Sequence, residues 1–228
     1  MTFSIVARAP GAGGPRLQYG IAICSSSPAV AARCAHARAG AGAVASQNIT
    51  DPALGPRLLG ALAEGIGAPA ALAAALQSTP YGEYRQLLAI GRDGPPAVHT
   101  GARALGIHAT APGADAAAGG NLLADHGVPA AMLAAFENAA GPLAERLLLA
   151  LYAGLDAGGE AGPVHSAGLL VVDAVSWPII DLRIDWHDTD PVAALQDLYR
   201  LYAPQVDAYV DRALNPTRAP SYGVPGDP

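Results

Sequence analysis

MTFSIVARAP (residues 1–10) and LQYGIAIC (residues 17–24) are the segments on which the fold reading turns. Phe3 to Arg8 reads as a short apolar strand starting almost at the first residue. Pro10 to Pro15, with three glycines, reads as a turn, and Leu17 to Cys24 as the returning strand of a hairpin. Working outward, Ala41 to Gln47 reads as a third strand built of small residues plus Val44, which lets a second sheet or a substrate approach its backbone closely. Asp51-Pro52 gives a cap followed by a first-turn proline, after which Leu54, Leu58, Leu59, Leu62 and Ile66 recur at helical spacing. A second helix from Pro69 to about Gln77 follows. Strands are expected at Arg85 to Gly91, Ala97 to Gly101 and Ala104 to Ala109.

Pro129 opens a helix through Met132, Leu133 and Phe136, and Pro142 opens another through Leu143, Leu147, Leu148 and Leu151. Ala167 to Val172 suits a strand covered on both faces. Ile180, Leu182, Ile184 and Trp186 alternate with Asp181, Arg183 and Asp185 as a half-exposed strand, pairing with it through a turn at Ser176 to Pro178. Asp190-Pro191 starts a last helix that continues past Pro204. Residues 1–214 thus read as one domain, and residues 215–228, with four of the chain's 20 prolines, as a disordered tail. Strands and helices come in groups rather than in strict alternation, which favours α+β over a doubly wound parallel sheet.

Composition narrows the chemistry. The chain has 228 residues, 51% of them hydrophobic, enough for one sizeable core. With 14% charged residues and a formal charge of −6 it offers no basic surface to nucleic acid. All 13 cationic residues counted as Lys+Arg are arginines. Without lysine there is no P-loop, no Schiff-base amine and no Ser-Lys pair. Cys24 and Cys34 have neither disulfide nor zinc spacing and read as buried thiols. The N-terminus lacks a basic leader and no long apolar run occurs, so a cytoplasmic location without membrane contact is expected.

Thr2 is the leading nucleophile. A methionine before a small second residue is normally removed, leaving Thr2 with a free α-amine beside its hydroxyl. An α-amine titrates near ~7.7–8.0, so a useful neutral fraction can take the hydroxyl proton. The alternatives are weaker. His165-Ser166, with His36 and Asp51, could form a Ser-His-Asp set, but no Gly-x-Ser-x-Gly elbow is present and Ser166 reads as a turn residue. Asp181, Asp185, His187, Asp188 and Asp190 could ligate a divalent metal, although a strand face, a turn and a helix cap explain them better. Asn121 could donate to an oxyanion, and Gln47 and Asn48 could orient a substrate amide or simply satisfy backbone groups.

Eight blocks in order carry a resemblance: MTFSIVAR (1–8), AGAGAVASQNITDPALGPRLLGALAEG (39–65), GEYRQLLAI (82–90), HTGARAL (99–105), GGNLLA (119–124), PLAERLLLALYAGLDAGGEAG (142–162), SAGLLVV (166–172) and DLRIDWHDTDPVAAL (181–195). Together they resemble the bacterial domain-of-unknown-function family numbered one thousand and twenty-eight, placed with the N-terminal-nucleophile (Ntn) hydrolases, whose members have no assigned substrate. The resemblance implies a four-layer αββα sandwich of two mainly antiparallel sheets, with Thr2 presented in the cleft between them. It also implies amide-bond hydrolysis through an acyl-enzyme on the Thr2 oxygen; the leading expectation is a small linear or cyclic amide as substrate, with no cofactor or metal. Arg85 or Arg103 would hold a substrate carboxylate. Val164-His165 stands where the family has Arg-Gln, making His165 a specificity candidate, and Ala9 stands where it has an aspartate. The apolar helices suggest a homodimer. A catalytically silent scaffold of the same fold, or a metal-dependent hydrolase using the 181–190 cluster, is the competing expectation.

Overall fold

The computed structural model of the chain describes residues 1–11 and 16–225. The turn expected over Pro10 to Pro15 falls mainly on residues 12–15 and lies outside them, as do residues 226–228. Its flanks form the expected hairpin: β1 (Thr2–Pro10) pairs antiparallel with β2 (Leu17–Ser25), Phe3 opposite Cys24 and Pro10 opposite Leu17.

Two antiparallel sheets follow. One has the order β10-β9-β2-β1-β8-β7 and contains, besides the hairpin, β7 (His108–Pro112), β8 (Ala116–Asn121), β9 (Ser166–Val172) and β10 (Ile180–Ile184). The other has the order β3-β4-β5-β6, from β3 (Ala35–Arg38), β4 (Gly42–Asn48), β5 (Arg85–Gly91) and β6 (Ala97–Thr100). The chain is therefore α+β.

The period of two along each strand sorts the side chains by face. From β1, Phe3, Ile5 and Ala7 join a cluster with Met132, Phe136, Leu147, Leu151 and Leu195, contributed by α4 (Val128–Asn138), α5 (Leu143–Asp156) and α6 (Pro191–Tyr202). Val6 instead meets Tyr19, Ile21, Ala43, Ala45, Leu88, Ile90 and Ala117, the contact between the two sheets. On the far face of the second sheet, Val44, Leu87 and Ala89 are covered by Leu54, Leu58, Leu62 and Leu72 of α2 (Leu54–Ala63) and α3 (Ala68–Gln77). Small residues let the sheets close: a Cβ on Gly119 would come within 2.9 Å of Leu88 Cδ2. A strand like β1, buried on both faces, needs the near-continuous apolar run that the sequence displays.

Several boundaries differ from expectation. Asp51 accepts from the Ala53 amide at 3.0 Å in a turn ahead of α2 rather than serving as its cap residue, and Ile66 lies beyond the helix end, exposed. The strand expected at 104–109 begins only at His108, because residues 101–107 close in local turns, with Ala104 N donating to Gly101 O and Gly106 at φ 59°. Helix α1 (Val30–Cys34), β3 and β8 were not anticipated. The β8 sequence AAAGGN has no β-branched residue, and it is a strand because β1 and β7 hydrogen-bond it from both sides. Past Pro204 the helical path resumes as α7 (Val206–Leu214), whose Arg212 guanidinium lies 3.8 Å from the Tyr222 ring centre. Among the described residues no helix is long and apolar enough to cross a membrane.

Candidate active site

Thr2 begins β1, and because Ser4 and Val6 face the other sheet, so does Thr2. The register then builds a polar row across the end of the larger sheet. Thr2 lies opposite Asn121, Asn121 opposite His108, and Ser25 opposite Ser166, while one step beyond the Phe3–Cys24 pair brings Ser25 beside Thr2. Thr2 Oγ1 is 3.5 Å from Ser25 Oγ, and both hydroxyls donate to the Met1 carbonyl oxygen. Two hydroxyls thus converge on one carbonyl at the first peptide bond. Thr2 is 5% exposed and Met1 39%, so the first residue covers the second.

The second sheet answers with its own row. Gln47 and Gln86 are opposite each other on β4 and β5, and Gln86 is opposite Thr100 on β6. Ser4 Oγ donates to Gln47 Oε1 at 2.7 Å, Gln47 Nε2 to Gln86 Oε1 at 2.8 Å, and Gln86 Nε2 to Gly120 O at 2.9 Å and Thr100 Oγ1 at 3.0 Å. These amides bridge the sheets at zero exposure, so each depends on its partners.

This network corrects the expectation for Asn121. Gln86 Nε2 is aimed at backbone and side-chain acceptors, so Gln86 Oε1 must accept, and Asn121 Nδ2 donates to it at 3.1 Å. The amide is therefore not free to meet an oxyanion. What remains is Asn121 Oδ1, a buried acceptor without a partner among the described residues. The converging donor is Ser25, which the hairpin register could have revealed as the residue opposite Thr2.

Other expected residues fall elsewhere. Asn48, at φ 73°, gives Nδ2 to Tyr84 O at 2.5 Å and accepts from Leu105 N at 3.3 Å, tying two loops together. Arg85 neighbours Gln86 and so points to the opposite, helix-bearing face of β5, where Nη1 donates to Ile49 O. That orientation takes it away from Thr2, contrary to a carboxylate-binding role there. Arg103 is held by Tyr84 at the hydroxyl, 2.5 Å, and over the ring. Ser166 Oγ donates to Ser27 O at 2.6 Å and receives Val30 N at 3.3 Å, and is fully buried, so it serves the turn and is no nucleophile. His36 hydrogen-bonds Arg33 O and its Cδ2 would lie 2.2 Å from a Cβ on Gly55, so it packs against α2. Its pKa is lowered by burial. His165 stacks on Trp186 at 4.3 Å, with Nδ1 3.0 Å from His187 O.

The acidic cluster disperses. Asp181 pairs with Arg183 at 2.8 Å, Asp188 accepts from Trp186 Nε1 at 2.8 Å, and Asp190 caps α6 through Ala193 N at 2.8 Å. Among the described residues no group of three or more His, Cys, Asp or Glu side chains is placed to hold a metal ion.

One site residue went unnoticed in the sequence. Glu160 sits in a Gly-rich strap that runs along the end of β8, bridging to Leu123 with Ala161 N on Leu122 O. Its carboxylate, 5% exposed, accepts from Ser26 N at 3.1 and 3.2 Å, one residue past Ser25. Burial pushes the Glu160 carboxyl up to about 7, opposed by the Ser26 hydrogen bonds, the N-terminal amine and His165. Burial likewise raises the Cys24 thiol well above its ordinary value, and Glu160 adds to the effect.

Backbone strain marks the same end of the sheets. Ala29 and Leu122, past the ends of β2 and β8, and Asn48, the last residue of β4, are all at positive φ, and Tyr81, also at positive φ, precedes β5. Exposed Ile49, Leu105, Ile107 and Trp186 lie in the connections there. By contrast, a concavity of about 420 Å³ lined by Arg16, Tyr19, Arg92 and Asp173 opens at the opposite end. The 9 residues of β1, at ~3.3 Å each, separate it from Thr2.

The model of a family of unknown function, DUF1028, matches residues 2–195. The chain belongs to the DUF1028 family. A crystal structure carrying the same family, protein SPO2555 from Silicibacter pomeroyi, superposes with a TM-score of 0.81 at 31% identity, covering 90% of this chain and 93% of that one. No curated protein matches. DUF1028 membership thus accounts for the ordered blocks, and the match ends within α6 of this DUF1028 chain, at Leu195.

Proposed function

We propose that the protein is an amide hydrolase of the N-terminal-nucleophile type, an αββα sandwich in which Thr2, freed by loss of Met1, attacks a small linear or cyclic amide. The observation that carries this reading is the position of the Thr2 hydroxyl. It stands at the polar end of the space between the sheets, paired with a second hydroxyl on a single carbonyl oxygen. The strained backbone around it and the buried amide network beneath it are the rigid surroundings that a preorganised site requires.

Once Met1 has left, the neutral Thr2 amine takes the Oγ1 proton as Oγ1 bonds to the substrate carbonyl carbon. Ser25 Oγ, released from the Met1 carbonyl, donates to the developing oxyanion. The C–N bond then breaks, the amine's extra proton goes to the leaving nitrogen, and water hydrolyses the ester on Thr2. Gln47 and Gln86 keep the two rows in register without touching the reacting atoms.

The test joins intact-mass measurement with a panel of small amides. Protein made in cells should lack Met1, and Thr2→Ala should lower turnover by more than about 10³-fold with unchanged circular dichroism. Persistent Met1, or equal turnover by the Ala variant, refutes the proposal.

A further inference from the structure

We propose that Glu160 is the positioning residue of the N-terminal amine: its carboxylate orients the Thr2 amine and stabilises the ammonium formed when that amine takes the hydroxyl proton. The inference rests on the Thr2 reading above and deepens it.

Geometry places the carboxylate. The strap from Gly158 to Ala161 is pinned on both sides, with Gly159 O accepting from Ala124 N at 3.0 Å and Ala161 N donating to Leu122 O at 2.9 Å. Both contacts lie at the exit of β8, next to Asn121, the residue opposite Thr2. From there Glu160 reaches the Ser26 amide, directly after the Ser25 whose hydroxyl holds the Met1 carbonyl. The Thr2 end of β1 thus has the unpartnered Asn121 Oδ1 on the neighbouring β8 and the buried Glu160 carboxylate at Ser26, one residue past Ser25 of β2. Both are acceptors. An ammonium group, with three donors and a positive charge, is the species that satisfies such a pair, and a freed Thr2 amine supplies it.

The titratable groups acting on Glu160 are few. They are the N-terminal amine and His165 entering β9, while Glu160 itself acts on the Cys24 thiol of β2, which burial keeps protonated. His165 is anchored separately by Trp186 and His187 O.

The role is that of the third group in a nucleophile–base–orienter set, acting through the base rather than on the substrate. In the step, Oγ1–H loses its proton to the amine lone pair and the Oγ1–C bond forms. The ammonium then faces the Glu160 carboxylate until it yields the proton to the leaving nitrogen. Glu160 gains and loses nothing covalently.

The absence of lysine makes the test clean, because the N-terminus is the chain's only amine. Competitive acetylation with acetic anhydride across pH, read by mass spectrometry, reports that amine alone. In Glu160→Gln the amine loses its anion, and its midpoint should fall by about half a pH unit or more, roughly threefold more acetylation at pH 7. Glu160→Asp, which keeps the charge but withdraws it by one methylene, should fall less and serves if the Gln variant does not fold. The same shift should appear on a Thr2→Ala background, where catalysis is absent by design. With p-nitrophenyl acetate as acylating probe, Glu160→Gln should move the acid limb of the burst to lower pH while its plateau drops at least about tenfold.

An unmoved acetylation midpoint overturns the assignment and leaves the Thr2 reading intact. A lowered plateau with an unmoved acid limb likewise overturns it, since general damage to the site would do that. Undiminished activity of Thr2→Ala instead removes the reading on which the assignment rests.

Discussion

Replacing Glu160 by Gln should change how stability depends on pH, and the magnitude follows from its burial. Folding lifts the Glu160 carboxyl from the ordinary 4.5 to about 7. A raised acid binds its proton more tightly in the folded chain. Its contribution is therefore fully present below pH ~4.5 and is lost as pH rises through about 7. At ~1.36 kcal/mol per pH unit, that rise corresponds to ~3 kcal/mol. Gln is close in shape, and its carboxamide oxygen can still accept from Ser26 N, so the variant removes the titration with little change in packing. Urea unfolding of both proteins at several pH values between 4 and 8.5 gives two stability curves, and their difference reports this group together with the amine it acts on. The wild type should lose ~3 kcal/mol more than the variant on going from pH ~4.5 to above pH ~8, so the variant is relatively more stable in alkali. Parallel curves would refute the reasoning, as would a wild type that gains relative stability with rising pH.

Two further outcomes rest on the buried network and on a helix start. Gln86→Leu strands the Asn121 amide between the sheets, removes a donor from the Gly120 carbonyl and leaves Gln47 Nε2 only its 3.3 Å contact with Gly119 O. It should cost ~3 kcal/mol or more in urea unfolding, well above the usual cost of a surface change. Asp190→Ala removes the side-chain acceptor for Ala193 N at the start of α6 and should cost ~1 kcal/mol, seen as a lower urea midpoint with an unchanged m-value.

The legible parts of the fold share a cause. The β1–β2 hairpin, β5, β9–β10 and helices α2 to α6 carry their own signals, a two- or 3.6-residue apolar period or a proline at a helix start. The unexpected parts lack such signals. A run of small residues does not distinguish strand from loop, so β8 is a strand only because two neighbours pair with it. The displaced β7 depends on turns made by residues 101–107, and those turns on Gly106 accepting a left-handed φ.

The site divides in the same way. Thr2 and Gln47 are visible as polar residues at the ends of apolar strands, Asn121 as an amide after two glycines, and Gln86 as an amide just ahead of the apolar run in RQLLAIG. Their partnership is not visible. Asn121 reads as a donor until Gln86 fixes its amide, and Arg85 reads as a free cation until strand alternation turns it to the other face of β5.

The sequence by itself determined the α+β class, the first strand with Thr2 at its edge, the exclusion of every lysine-dependent chemistry, and the family. These follow from local periodicity, composition and ordered motifs, which need no knowledge of distant contacts. Only the tertiary structure decided that Ser25 shares the Thr2 carbonyl contact, that Asn121 presents an acceptor, and that Glu160 from a glycine-rich strap lies beside the chain terminus. Burial, hydrogen-bond pairing and electrostatic coupling are properties of neighbours in space, and residues 2, 25, 121 and 160 become neighbours only when β1, β2, β8 and the strap close around one end of the sheets.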